Sequence, residues 1–187
     1  TFRNYAVTAN LLSSSIVMIP FYIKIFITEY RIDTGFIGNI VLLQIGGMIL
    51  SNFLWPRIIK PLGFKGLLKV QAILGTLMPI SLVAMLSAGM DYRVIFIIVP
   101  ILGAMSGAHK MSAEAVLVQI SPDNKRPLYS GIFGALNLTA AVFPLAAGAL
   151  IALAGWKIVF PLIAAMPLLA LITIRKMICP VDLEKAR

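Results

Sequence analysis

Acidic residues, histidine and cysteine are all scarce in this chain: seven Asp and Glu, one His and one Cys among 187 residues. A single cysteine, Cys179, excludes an internal disulfide and says little about redox compartment. One His and one Cys far apart supply no ligand set for a metal, so neither metal nor cofactor is expected. No Gly-rich loop ending in Lys-Ser/Thr occurs, so the chain does not itself hydrolyse ATP. Charge of either sign is thin at 12% of residues, against 60% hydrophobic and a mean hydropathy of +0.97. Such a composition excludes an ordinary water-soluble domain.

What is present is a series of apolar runs long enough to cross a bilayer, for which a helix needs about 20 mostly apolar residues. Residues 35–56, 70–90, 127–156 and 158–174 carry no charge at all. Residues 5–28 are interrupted by Lys24, and residues 94–120 by His109, Lys110 and Glu114. The first run is too long and too polar in its centre for a signal peptide, and no small-residue cleavage site follows it. These runs predict an all-α integral membrane protein, a single bundle of six transmembrane helices over 5–28, 35–56, 67–90, 94–120, 127–154 and 158–175. The connecting loops are short, with 57–69 the longest, and leave no room for a soluble domain.

A net charge of +9 could suggest nucleic acid, but the basic residues are scattered over short loops rather than gathered on one surface. Their distribution follows topology instead. With a cytoplasmic amino terminus, the inner segments hold Arg3, Arg57, Lys60, Lys65, Lys69, Lys125, Arg126, Arg175, Lys176, Lys185 and Arg187. The outer segments hold only Arg31, Arg93 and Lys157. This asymmetry predicts a multi-pass protein of the plasma membrane, or inner membrane of a bacterial cell, with both termini in the cytoplasm. Because the chain opens with Thr1 rather than Met, it is expected to be a fragment or a processed piece.

Small residues mark sites of close helix approach: Gly46 and Gly47, Gly103 and Gly107, then Gly131, Gly134, Ala147 and Gly148. Pro20, Pro79, Pro100, Pro144, Pro161 and Pro167 fall inside the expected spans, where neighbouring helices can satisfy the freed carbonyls. Gln44 and Ser51 share a stripe with Met48 and Trp55, and Asn137 and Thr139 lie in the fifth span. Interhelical hydrogen bonds are the plainer reading of all four polar residues.

Ionisable groups within a span are costly, at least about 2.5 kcal/mol at the centre of an isolated helix, so they point to a functional interior. The fourth span has three. At 100° per residue, Gly103, Ser106, Gly107, His109, Lys110, Ala113 and Glu114 occupy one arc of about 160°, with apolar side chains filling the rest. Lys110 and Glu114, four apart, could neutralise each other or could meet substrate or protons. His109 is the best single candidate for a cavity-facing group. The first span is the other polar one: Asn4, Thr8, Ser15 and Tyr22 run along one stripe, Asn10, Ser13 and Lys24 along another. Lys24 lies close enough to the outer boundary to snorkel.

This pattern resembles one half of a major facilitator superfamily transporter, in particular its carboxy-terminal six helices. The likeness covers nearly the whole chain. It rests on Phe2-Arg3 ahead of a helix reaching Pro20-Phe21-Tyr22, on Ser51-Asn52-Phe53-Leu54-Trp55, on Pro122-Asp123-Asn124-Lys125-Arg126 with Tyr129-Ser130-Gly131, and on Ala147-Gly148-Ala149 through Gly155-Trp156-Lys157-Ile158-Val159-Phe160. The family's loop signature between its second and third helices is represented by Pro56-Arg57-Ile58-Ile59-Lys60-Pro61-Leu62-Gly63-Phe64-Lys65. Of that signature, Gly63 and Lys65 are retained, Arg57 adds a basic charge, and Lys60 stands where the acid belongs. The signature's charge pair therefore cannot form here.

The resemblance implies that the first and fourth helices line a central cavity. It also implies a missing amino-terminal half as partner or, failing that, a second copy of this chain, within the lipid bilayer. Secondary active transport of a small molecule by alternating access is the function expected. The expected substrate or proton path comprises His109, Lys110, Glu114, Ser106, Ser15, Tyr22, Thr8, Asn10 and Gln44, with Ser15 and Tyr22 on the same cavity wall as His109. An intramembrane serine protease built on Ser106 and His109 is a rival reading, opposed by their spacing on one helix. A transporter-like sensor or scaffold is another. Neither catalysis nor a nucleic-acid partner is expected.

Overall fold

A computed structural model describes residues 2–177, and every regular element among them is helical. Cys179, Lys185 and Arg187 lie outside the described residues. The order is α1 (Phe2–Val17), α2 (Ile19–Tyr30), α3 (Ile37–Ser51), α4 (Trp55–Ser87), α5 (Ile95–Ile120), α6 (Arg126–Leu136), α7 (Leu138–Ala154) and α8 (Trp156–Arg175). Helices α1 and α2 together, α4, α5, α6 and α7 together, and α8 are each long and apolar enough to cross a membrane. Helix α3 has 15 residues, about 22 Å at 1.5 Å per residue and shorter than the other spans.

Two expected spans are interrupted where the sequence disfavours a continuous helix. At Met18 the backbone turns before Pro20, which has no N–H to continue the ladder. At Asn137 the backbone leaves the helical region (φ −79°, ψ 56°), separating α6 from α7. A third difference lies at the second span, expected to run to Pro56. Its helix stops at Ser51, and a new one starts at Trp55 with Pro56 in its first turn, where a missing N–H costs nothing.

The segment 57–69, expected as a loop, is therefore helical and belongs to α4. A break at Gly63 (φ 64°, ψ −176°) divides this short leading helix from the spanning part. Only glycine adopts that conformation without strain.

Helix α1 is the centre of the bundle, packing on α4, α5, α7 and α8, while α3 lies along α5 and α4 along α8. Tyr5, Thr8, Leu12 and Ser14 are all buried as a result, and Met18, Tyr22 and Phe26 beyond the end of α1 are buried too. The crossing of α3 and α5 depends on absent side chains. A Cβ on Gly47 would meet the backbone of Pro100, and one on Gly103 the carbonyl of Gln44. Within hydrocarbon, such close backbone approach supplies the packing attraction that exclusion of water supplies elsewhere. Gly131 and Gly134, by contrast, meet nothing within 4 Å, and α6 buries no residue.

The two ends of the bundle differ in charge. At one end Phe2 stacks edge-on to Tyr129, Asn4 donates to the Lys176 carbonyl at 3.4 Å, and Lys65 Nζ donates to the Met177 carbonyl at 2.8 Å. Arg3, Arg57, Lys60, Lys125, Arg126 and Arg175 belong to this end. At the other, Trp156 Nε1 donates to Glu29 at 3.0 Å, Tyr30 donates to the Met90 carbonyl at 2.9 Å, and Arg93 lies 3.5 Å from Asp91.

Candidate functional site

Four of the expected path residues converge. Gln44 from α3 and Ser106, His109 and Lys110 from α5 line one cavity of about 310 Å³, together with Ile16, Ile45, Met48 and Gly103. Their convergence follows from the close α3–α5 crossing. Gly103 lets the α5 backbone reach that of Gln44, and a Cβ on Gly107 would crowd Ser51 and Met48. Residues 106, 109 and 110 then project beside the seam rather than into it.

Within this group the imidazole Nε2 of His109 lies 3.4 Å from Ser13 Oγ, linking α5 to α1. Ser106 turns back to donate to the Leu102 carbonyl at 3.1 Å. The hydroxyl that meets the imidazole thus belongs to Ser13, and the Ser106–His109 dyad considered from the sequence is replaced by a contact between helices. Lys110 is exposed and Glu114 is exposed, and neither takes part in an ion pair among the described residues. One helical turn separates them, about 6 Å along the axis, and they border different cavities. Glu114 lines a space of about 370 Å³ with Arg126, Ser130 and Phe133 near the basic end.

The first helix departs from expectation. Ser15 and Tyr22 do not share the wall with His109: both are buried inside the bundle. Tyr22 packs edge-on against Phe160, ring centroids 4.9 Å apart. Ser15 faces Gly75, and its Oγ has no hydrogen-bond partner among the described residues. Thr8 is also interior, meeting Thr173 Oγ1 at 2.6 Å and donating to the Asn4 carbonyl at 2.7 Å. Asn10 is half-buried, donates to the Ala6 carbonyl at 2.9 Å and borders a separate cavity of about 490 Å³ with Phe2, Arg3 and Leu136. The cause is the central position of α1: helices on several sides cover most of its circumference, so most of its polar groups meet protein.

Two interior contacts were not legible as such. Ser112 donates to Gln71 Oε1 at 3.1 Å, tying α5 to α4, and the Tyr5 hydroxyl donates to the Ala113 carbonyl at 2.9 Å. The only sequence signal for the first was Gln71 near the start of an otherwise apolar run. Of the loop-signature residues, Arg57 and Lys60 are exposed, Gly63 supplies the helix break, and Lys65 caps a carbonyl beyond the end of α8.

Compared with known families, residues 5–183 match the model of the Major Facilitator Superfamily. Neither curated proteins nor solved structures give a match. A match over nearly all of the chain, on a bundle of apolar helices, makes this an integral membrane protein of the transporter class. The chain belongs to the Major Facilitator Superfamily.

Proposed function

We propose that this chain forms the carboxy-terminal half of a secondary active transporter, which moves a small molecule by alternating access through a cavity bordered by α5. The observation that carries the reading is the convergence of Gln44, Ser106, His109 and Lys110 on one cavity of about 310 Å³. Ionisable groups at such depth are retained where they meet water, substrate or each other, and among the described residues Lys110 and Glu114 make no ion pair. Lys110 offers donors to a solute, Ser106, whose hydrogen goes to the Leu102 carbonyl, offers an acceptor oxygen, His109 donates or accepts a proton, and Gln44 does both.

A further six helices of the same transporter cover the polar side of α5. Supporting this is the exposure of Lys110 and Glu114 on that side of α5, a side that hydrocarbon would not tolerate. The basic end of the bundle is cytoplasmic, placing both termini there. Labelling Lys60→Cys and Lys157→Cys in intact cells, in a Cys179→Ser background, tests the orientation: only the second should react with an impermeant thiol reagent, and reaction of the first would reverse it.

The mass of the chain in detergent tests the cover. Association with a separately expressed six-helix partner supports the proposal. A two-fold homodimer, or a monodisperse monomer that transports in reconstituted vesicles, overturns it. For transport, His109→Ala and Glu114→Gln should reduce uptake or export without lowering expression.

A further inference from the structure

The segment carrying the altered loop signature has a geometry of its own. Trp55, Ile58, Ile59 and Leu62 fall at helical spacing on one stripe of the short helix before Gly63. Trp55 is buried, and Ile58 and Ile59 pack beside it against Leu67 and Ala108. At its far end the stripe outruns the bundle: Leu62 is 60% exposed, and just ahead of the helix Phe53 is 70% exposed. The opposite face carries Arg57 and Lys60, both exposed, with Lys69 exposed six residues beyond the break. No acidic residue occurs between Asp33 and Asp91, so nothing in this stretch of chain neutralises them.

We propose that residues 53–69 form a binding surface for the headgroups of anionic phospholipids. Trp55 and the two isoleucines fix the helix to the bundle, and Phe53 and Leu62 enter the acyl boundary. Arg57, Lys60 and Lys69 then meet lipid phosphates. An amphipathic helix lies in the interface in just this division of faces, and clustered cations at the end of a span attract anionic lipid. The replacement of the family's acid by Lys60 is what makes the surface uniformly basic. The proposal depends on neither the substrate nor the direction of transport.

The two tryptophans of the chain make a test direct. In Trp156→Phe, Trp55 is the sole indole and sits at the root of the surface. Reconstituted into vesicles containing either brominated phosphatidylglycerol or brominated phosphatidylcholine, its fluorescence should be quenched more by the former. A preference of at least about threefold at low salt is expected from three surface cations, falling toward one as salt screens them. Arg57→Gln/Lys60→Gln/Lys69→Gln should abolish the preference, and Arg57→Lys/Lys60→Arg/Lys69→Arg should keep it. Equal quenching by the two lipids, a preference that survives the neutral triple variant, or its abolition by inorganic phosphate at unchanged ionic strength would each overturn the proposal.

Discussion

The central helix pair α1–α2 and the helix α5 carry similar polarity but treat it differently. In α1 and α2, Thr8, Ser13, Ser14, Ser15 and Tyr22 are buried within the bundle. In α5, Ser106 and His109 are half-buried at a cavity, and Lys110 and Glu114 are exposed. The difference is chemical. A hydroxyl can return its hydrogen bond to a carbonyl of its own helix, as Thr8, Ser14 and Ser106 do, and so can be placed anywhere. An ammonium or a carboxylate has no such refuge and must reach water, a counter-charge or the membrane surface. Polar content alone therefore identifies a helix unsuited to lipid, while ionisable content identifies the side that opens.

Substitutions graded by burial would break or sharpen this contrast. The largest effect is expected at the sealed side of α5: Gly103→Leu forces a side chain into the carbonyl of Gln44, and a backbone neighbour cannot yield. A loss of at least about 3 kcal/mol in a detergent-unfolding titration is expected, at the upper end for overpacking. Next, Tyr22→Ala removes an interior ring packed on Phe160 and should cost about 3 kcal/mol in the same titration. Thr8→Val deletes the bond to Thr173 and should cost about 1 kcal/mol, the usual scale for interhelical bonds in membranes. Lys110→Gln, at an exposed site, should change stability by less than about 0.5 kcal/mol while lowering transport. A loss comparable to that of Tyr22→Ala would mean that Lys110 is a structural group and that the two helices do not differ.

Much of the architecture was legible because the bilayer imposes a length and a charge rule on the sequence. The apolar runs show where chain is buried in lipid or protein, and the polar arc of α5 identified Gln44's partners Ser106, His109 and Lys110 as a group. The sequence did not reveal which neighbours would surround α1, since that is decided by contacts with α4, α7 and α8 that are remote along the chain. Hence Ser13 was visible on a polar stripe with Asn10 and Lys24, but its meeting with His109 was not. The helix in residues 57–69 was missed for a local reason. Arg57, Lys60, Lys65 and Lys69 read as a charged loop after a span ending at Pro56, whereas Pro56 sits in the first turn of a new helix and Gly63 takes up the break itself.

Thiol labelling of two single-cysteine variants in the Cys179→Ser background, Lys110→Cys and Ser15→Cys, tests the central contrast most directly. With an impermeant methanethiosulfonate in reconstituted vesicles open to reagent from both sides, Lys110→Cys should react readily, with Ser15→Cys slower by two orders of magnitude or more, as about 3 kcal/mol of opening would impose. Comparable rates for the two variants, or an unreactive Lys110→Cys beside a reactive Ser15→Cys, would contradict the account.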